Sequence, residues 1–473
     1  MTATGRPTRV LFVYRFFNYM EPLGILYLSA ALKKAGHETH FYDVGIEPEK
    51  DLAAFFDAVK PDVVAYSTTT GMHRYYAALN RRLKATGREF TALFGGPHPT
   101  YEPKFAEEDG VDVACQGEGE GPIVDLADAI RDGSPLAGIA NLAVKAKDGS
   151  VTRACVRPFI ADLDSIPFPD RSLIYKYNHY RKLSTKYVLA SRGCPYDCTY
   201  CFNHALEAIY EGKGKFIRRR SVGNLIAELK DVVKAPNTKR VFFIDDVFLI
   251  DKKWSLAFCD AYAREIALPF MACTRIELVT DEIAKALKRA NINTLVFAVE
   301  SADPVTRRET LKRDMDDALI FERAEILRRN GIPFYTQNML GLPGETLEDC
   351  LKTLRFNAKL RPGYAWASIF QPYPGTELGR RVTADGLVET SSAEIPEHYY
   401  HDSLLKQGGR REIRNLQKWF SIAVAYPFLV PLVERVIRLP GNGVFAWLWQ
   451  LFRGYAYLFK IRWMSLSDVL LRN

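Results

Sequence analysis

Ser191 to Phe202 reads SRGCPYDCTYCF and sets Cys194, Cys198 and Cys201 within eight residues, in a chain of 473 that has only eight cysteines. Gly, Pro and Asp mark the stretch as a loop, a poor place to bury three unrelated thiols. Soft thiolates suit zinc or an iron–sulfur cluster. The two-residue gap between Cys198 and Cys201 matches a zinc knuckle, but a closed zinc site needs four ligands, and His204 is the nearby candidate for the fourth. Three cysteines on a four-iron cluster leave one iron free for an external ligand. These residues alone leave both readings open.

Working outward, the loop follows the first of six strand candidates: Tyr187–Ser191, Val241–Asp245, Pro269–Thr274, Thr294–Val299, Pro333–Gln337 and Tyr364–Phe370. Helical segments lie between them, among them Asn224–Val233, Asp281–Ala290 and Leu319–Asn330. Six βα repeats are two short of a closed eightfold barrel, and barrel chemistry belongs at the carboxyl ends of strands, where the cysteines fall.

Upstream, RVLFVY (Arg9 to Tyr14) and the amphipathic Glu21–His37 form a βα unit, followed by strands at ETHFYDV, PDVVAYSTT, FTALFGG and VDVACQGEGE. Five such strands predict an open, doubly wound parallel sheet whose ligands sit at the strand ends. Those ends carry Asp43, Ser67, Thr68, Thr69, Gly95, Gly96, His98, Gly117 and Glu118, and the small and hydroxyl residues among them let a large ligand approach the backbone. The expected layout is α/β throughout. It has a Rossmann-like domain over 1–135, a linker with a small hairpin over 136–185, a partial (β/α)6 barrel over 186–390 and a helical tail over 391–473.

Dispersed cysteines and the lack of a secretory start predict a reducing cytoplasm; Cys115, Cys155, Cys259, Cys273 and Cys350 are expected as small buried hydrophobes. The net charge of +8 resides wholly in the tail, where eleven Lys or Arg from Lys406 to Arg472 face three acidic residues. A neutral body argues against nucleic acid. The tail also holds WFSIAVAYPFLVPLV (Trp419 to Val433), too short and Pro-broken for a span, and a later run that mixes Trp447, Trp449, Tyr455, Tyr457 and Trp463 with Arg453, Lys460 and Arg462. That composition fits an interfacial helix on a membrane or a cap packed on the barrel. Membrane residence would favour a hydrophobic substrate such as a lipid, isoprenoid or tetrapyrrole.

The Cys-x3-Cys-x2-Cys spacing, with Tyr200 before and Phe202 after the last cysteine, resembles the signature of the radical S-adenosylmethionine superfamily, whose fold is a partial six-unit barrel. The resemblance implies that Cys194, Cys198 and Cys201 hold a 4Fe-4S cluster and that S-adenosylmethionine chelates the remaining iron. FFIDDVFLI, FAVESAD, NMLGLPGET and FQPYPGTEL resemble the superfamily's cofactor-contact stretches. The S-adenosylmethionine residues so implied are Tyr200, Phe202, Asp245, Asp246, Glu300, Ser301, Gly341 and Pro343.

EPLGILYLSAAL, FGGPHPT, QGEGEGP and LDSIPFPDR look like the cobalamin-dependent branch of that superfamily, so the resemblance spans roughly residues 8 to 380. It implies cobalamin at the strand ends of the first domain, and an electron donor such as flavodoxin or ferredoxin. The chain departs from the older cobalamin enzymes at DVGIEP, where Gly45 stands in place of the axial histidine. His98 and His73 are substitutes, although a histidine in a turn is expected to be solvated. The implied activity is methylation of an unactivated carbon through a 5′-deoxyadenosyl radical. The alternatives are a non-methylating enzyme of the same branch, performing cyclisation, oxidation or rearrangement, and a zinc-stabilised RNA-binding module.

Overall fold

The computed structural model describes residues 5–15, 20–389, 394–395, 402–441, 443–456 and 459. They fall into two compact units: Met1–Arg181 with Ala205–Arg218, and Lys182–His204 with Arg219–Asn473.

The first unit contains β1 (Arg9–Tyr14), α1 (Leu23–Lys34), β2 (Glu38–Asp43), α2 (Leu52–Val59), β3 (Val63–Ser67), α3 (His73–Lys84), β4 (Thr91–Gly95), α4 (Pro97–Tyr101), β5 (Val113–Cys115) and α5 (Glu120–Asp132). The strands are ordered β2-β1-β3-β4-β5 and run parallel. Val10, Leu11, Phe12 and Val13 are all buried, as expected for a parallel sheet covered on both faces. The order reverses between β1 and β3, so the ligand crevice of such a sheet lies at the carboxyl ends of those two strands.

The hairpin expected in a linker is instead part of this sheet. β6 (Leu142–Lys145) pairs antiparallel with β5, and β7 (Val151–Arg153) with β6. An edge strand presents unpaired N–H and C=O groups, and the hairpin satisfies those of β5.

From α6 (Asn178–Lys182), which closes the first stretch of the first unit, the chain enters the second unit through β8 (Thr185–Val188) and the two-residue strand β9 (Ser191–Arg192); α7 (Phe202–Ile209) passes back into the first unit at Ala205, and the chain returns to the second at the two-residue strand β10 (Arg218–Arg219). It continues through α8 (Val222–Val232), β11 (Arg240–Phe243), α9 (Lys252–Glu265), β12 (Phe270–Cys273), α10 (Asp281–Arg289), β13 (Ile292–Glu300) and α11 (Asp317–Arg329). The last repeats are β14 (Phe334–Leu340), α12 (Leu347–Leu360), β15 (Tyr364–Ile369) and α13 (Glu377–Ala384).

Strands β8, β11, β12, β13, β14 and β15 lie side by side in chain order, all parallel, with β8 and β15 at the open edges: a partial barrel. Ser221, Asp251, Thr280, Asp316, Thr346 and Thr376 each cap the following helix by accepting a backbone N–H, which fixes where each βα loop ends. Phe243 anchors the wall, its ring 4.8 Å from Phe248, 5.2 Å from Phe258 and 5.6 Å from Phe270.

The tail begins as a packed cap. Helix α14 (Arg410–Ala425) seats Ile413, Leu416 and Phe420 against Leu340, Leu354 and Ala365, and Val433 of α15 (Val430–Val436) joins that cluster. Helix α16 (Gly443–Tyr455) packs Phe445 and Trp449 on Trp419 and Trp366. Tyr457, Lys460, Arg462, Trp463 and Arg472 lie outside the described residues. Among the described residues no helix is long and apolar enough to cross a membrane.

Candidate functional site

The cysteine loop leaves β8 at Ala190 and Ser191, whose backbone N–H and hydroxyl both donate to the carboxylate of Asp245, just past β11. Burial pushes the Asp245 carboxyl up to about 6, against the pull of Ser191 and Ala190. This residue therefore fixes the start of the loop. Farther along, the Thr199 hydroxyl donates to Thr310 O at 2.6 Å, and Leu378 N–H donates to Thr199 O at 2.8 Å. The loop is thus held at its start and again at Thr199, between the second and third cysteines.

Each cysteine sulfur accepts N–H donors: Cys194 from the backbone of Tyr196, Cys201 from the backbone and side-chain amide of Asn203 at 3.5 and 3.6 Å, and Cys198 from Arg275 and Arg313. All three thiols are free of disulfides. Burial, and then the nearby Asp246 carboxylate, push Cys194 up to about 12 and Cys201 in the same direction, so a bound metal must draw the protons off. Asp246 is exposed as a residue, yet its carboxyl sits in a recess crowded enough to raise its own pKa.

Tyr200 packs with Leu311, Met339, Leu342 and Leu378 and donates its hydroxyl to Glu300 at 2.8 Å. Burial raises the Glu300 carboxyl, while Arg313 and Tyr200 pull it back. The Ser301 hydroxyl donates to Glu345 at 2.8 Å, and the same carboxylate accepts Leu342 N–H, locking the turn of Gly341 and Pro343 to the end of β13. Gly341 has φ +70, and a Cβ there would strike Gln407. The Phe202 ring is 5.6 Å from that of Tyr373. The fold thus collects Tyr200, Phe202, Glu300, Ser301, Gly341 and Pro343 around the loop.

In the first unit, Ser67, Thr69, Gly95 and Gly96 stay partly or fully exposed at the carboxyl ends of β3 and β4. Gly96 has φ +95, and a Cβ there would lie 2.9 Å from Thr68 N, so only glycine permits this close approach. Thr68 is fully buried, and its hydroxyl has no partner among the described residues.

His98 is not solvated: it is 5% exposed and stacks on His73 with ring centroids 3.9 Å apart. Asp43 is wholly buried and accepts from the Gly45 N–H and the Tyr180 hydroxyl, at 2.8 and 2.6 Å. Gly117 lies against the Tyr210 phenol, and Glu118 pairs with Arg218 at 2.9 Å, so these two residues fasten the 205–218 segment within the first unit.

Residues 10–127 match the B12 binding domain family and residues 188–356 the radical SAM superfamily. The chain is a B12-binding radical S-adenosylmethionine enzyme. It is 28% identical over 377 residues to the uncharacterized methyltransferase PH0819 of Pyrococcus horikoshii, which covers 78% of this chain and 80% of that protein. The hopanoid C-3 methylase of Methylococcus capsulatus is 26% identical over 379 residues, covering 77% of this chain and 69% of that one. In fold the chain resembles the cobalamin-dependent S-adenosylmethionine radical enzyme OxsB with aqua-cobalamin bound, at a TM-score of 0.72 and 16% identity, covering 99% of this chain and 73% of that chain.

The domains of this radical S-adenosylmethionine enzyme indicate a 4Fe-4S cluster, S-adenosylmethionine and cobalamin as its cofactors. Its residues fit them. The cysteines are free thiols with N–H donors already on each sulfur, and the small-residue shelf holds an orphaned hydroxyl at Thr68. Both ring nitrogens of His204 are buried without a partner among the described residues.

Cys155 is exposed and Cys273 partly so, contrary to the expectation of burial. Arg275 and Arg313 are marked by no motif, because each reaches the Cys198 sulfur from a distant element; Asn203 follows the last cysteine by two residues, and Glu345 closes the turn inside NMLGLPGET, a stretch from which only Gly341 and Pro343 were expected at the site.

Proposed function

We propose that this enzyme transfers a methyl group to an unactivated carbon of a hydrophobic substrate. The observation that carries the reading is the pairing, in one chain, of a three-cysteine loop with N–H donors on every sulfur and a B12-binding unit whose strand ends form a small-residue shelf. The names of the two relatives above support methyl transfer. When bound, the cluster with S-adenosylmethionine supplies a carbon radical that removes hydrogen, and cobalamin supplies the methyl group.

The chain's own residues then hold and orient. Cys194, Cys198 and Cys201 carry the iron, and Asp245 pins the loop that bears them. Tyr200, Glu300 and Ser301 form the polar rim for S-adenosylmethionine, and Gly341 and Pro343 supply backbone next to it. Thr68, Ser67, Thr69, Gly95 and Gly96 offer the cobalamin shelf, with Asp43, Gly117 and Glu118 shaping the loops beside it. No side chain has to move a proton in the hydrogen-removal step.

The hydrophobic substrate is supported by the outer face of the tail. Phe428, Leu432, Leu439, Val444, Trp447 and Leu451 are exposed, with Arg435 and Arg438 exposed among them, a composition that suits an anionic leaflet.

Product mass tests the reading. Methylation adds one CH2, with one S-adenosylmethionine converted to methionine and 5′-deoxyadenosine and a second to S-adenosylhomocysteine. Product formation without that gain, and without S-adenosylhomocysteine, supports a non-methylating reaction instead.

A further inference from the structure

Cys198 differs from its two companions in what meets its sulfur. Nη1 of Arg275 and Nη1 of Arg313 each lie 3.7 Å from Cys198 Sγ. The two arginines are 6% and 5% exposed and come from different elements, one just past β12 and the other past the turn that follows β13. Arg275 is gripped from behind: its Nε donates to Glu277 at 2.8 Å, its Nη2 bonds the same carboxylate, and the Tyr196 ring lies 4.0 Å from its guanidinium carbon. Arg313 donates from Nη2 to Ala298 O at 2.7 Å and from Nη1 also to the Tyr200 hydroxyl at 3.3 Å. Each guanidinium is therefore held by its other contacts with Nη1 turned to the sulfur. The donors identified at Cys194 and Cys201 among the described residues are neutral amides, and the Asp246 carboxylate lies near both.

We propose that Arg275 and Arg313 set the reduction potential of the cluster through the Cys198 sulfur, raising it. The inference rests on the reading that Cys194, Cys198 and Cys201 hold a 4Fe-4S cluster. Reduction adds one electron, taken from a low-potential one-electron donor, and carries the cluster from the 2+ to the 1+ state with no bond made or broken. The added negative charge is shared with the ligand sulfurs. N–H donors and positive charge beside a sulfur, in a site screened from water, stabilise the reduced state more than the oxidised one. Glu277 offsets part of the charge of Arg275, but it binds the Nε and Nη2 edge and leaves Nη1 nearer the sulfur.

The test is a redox titration of the full-length protein reconstituted with iron and sulfide under anaerobic conditions, following the paramagnetic signal of the reduced cluster. Arg275→Gln and Arg313→Gln should each move the midpoint to more negative potential at wild-type iron content, and the double variant further. Glu277→Gln keeps both donors and removes the opposing charge, so it should move the midpoint the other way. Unchanged midpoints in both arginine variants with iron retained overturn the proposal. If those variants fail to take up iron, Glu277→Gln decides alone: a positive shift supports the proposal and no shift overturns it. Failure of the cluster assignment is read separately, as full iron retained when Cys194, Cys198 or Cys201 is replaced by Ala.

Discussion

The Tyr200 hydroxyl donates to Oε1 of Glu300 across 2.8 Å, tying the residue before the third cysteine to the last residue of β13. Glu300 is held at φ +68, a backbone conformation that costs a glutamate on the order of 1 kcal/mol or more and needs support from its surroundings. The tie is one such support, and the buried Arg313 that also bonds Tyr200 is another. Tyr200→Phe keeps the ring packed on Leu311 and Leu378 and removes only the donor. It should cost about 1–2 kcal/mol in denaturant unfolding and weaken S-adenosylmethionine binding while iron content holds. Unaltered affinity for S-adenosylmethionine would confine the bond to a structural role.

Each of Cys194→Ala, Cys198→Ala and Cys201→Ala should abolish the brown chromophore and the cleavage of S-adenosylmethionine, because an iron left without its thiolate makes the cluster labile. Cys155→Ala, at an exposed position outside the loop, should keep both. Iron and sulfide assays on anaerobically purified protein check this, and a ligand variant with wild-type iron contradicts it.

The stacked histidines predict an acid-sensitive first unit. Burial holds His73 down at about 4, with Arg74 adding to it, and burial followed by the neighbouring His73 holds His98 at about 3. An unfolded histidine titrates near 6.5, so at pH values between these limits the unfolded chain binds more protons than the folded one. Stability is full above about pH 6.5 and is lost as pH falls through the folded values. His98→Phe should flatten that acid limb in thermal melts of the cofactor-free protein. The same slope in wild type and variant would mean that other groups drive the acid loss.

The two parts of the tail should separate by deletion. Removing everything from Leu404 strips Ile413, Leu416 and Phe420 from Leu340 and Ala365, so this truncation should aggregate or lose its cluster. Phe420→Ala alone should cost about 3–5 kcal/mol. Trp447→Ser with Leu451→Ser changes only exposed positions on α16, and should leave the melting temperature unaltered while weakening flotation with anionic vesicles. Flotation equal to wild type would count against membrane contact through this face.

The sequence by itself determined the loop that carries the cysteines and the existence and order of the barrel strands, because these are local properties. A Cys-x3-Cys-x2-Cys spacing and alternating apolar runs are legible without knowing what lies across the fold. Strand limits were legible to within a few residues: Pro333–Gln337 was expected, and β14 runs Phe334–Leu340.

Tertiary structure alone decided the rest. Arg275 and Arg313 stand 77 and 115 residues from Cys198 and reach its sulfur only because β12 and β13 stack beside β8 and β11 in one sheet. The hairpin joined the first sheet because β5 offered it an unpaired edge. His73 and His98 became a buried stack because α3 and α4 start at neighbouring strand ends. The tail became a cap with an exposed outer side because α14 found apolar surface on β14 and β15, a partner that its own amphipathic pattern could not name. Pairings of this kind depend on which faces the folded chain brings within contact distance, and residue spacing carries no record of that distance.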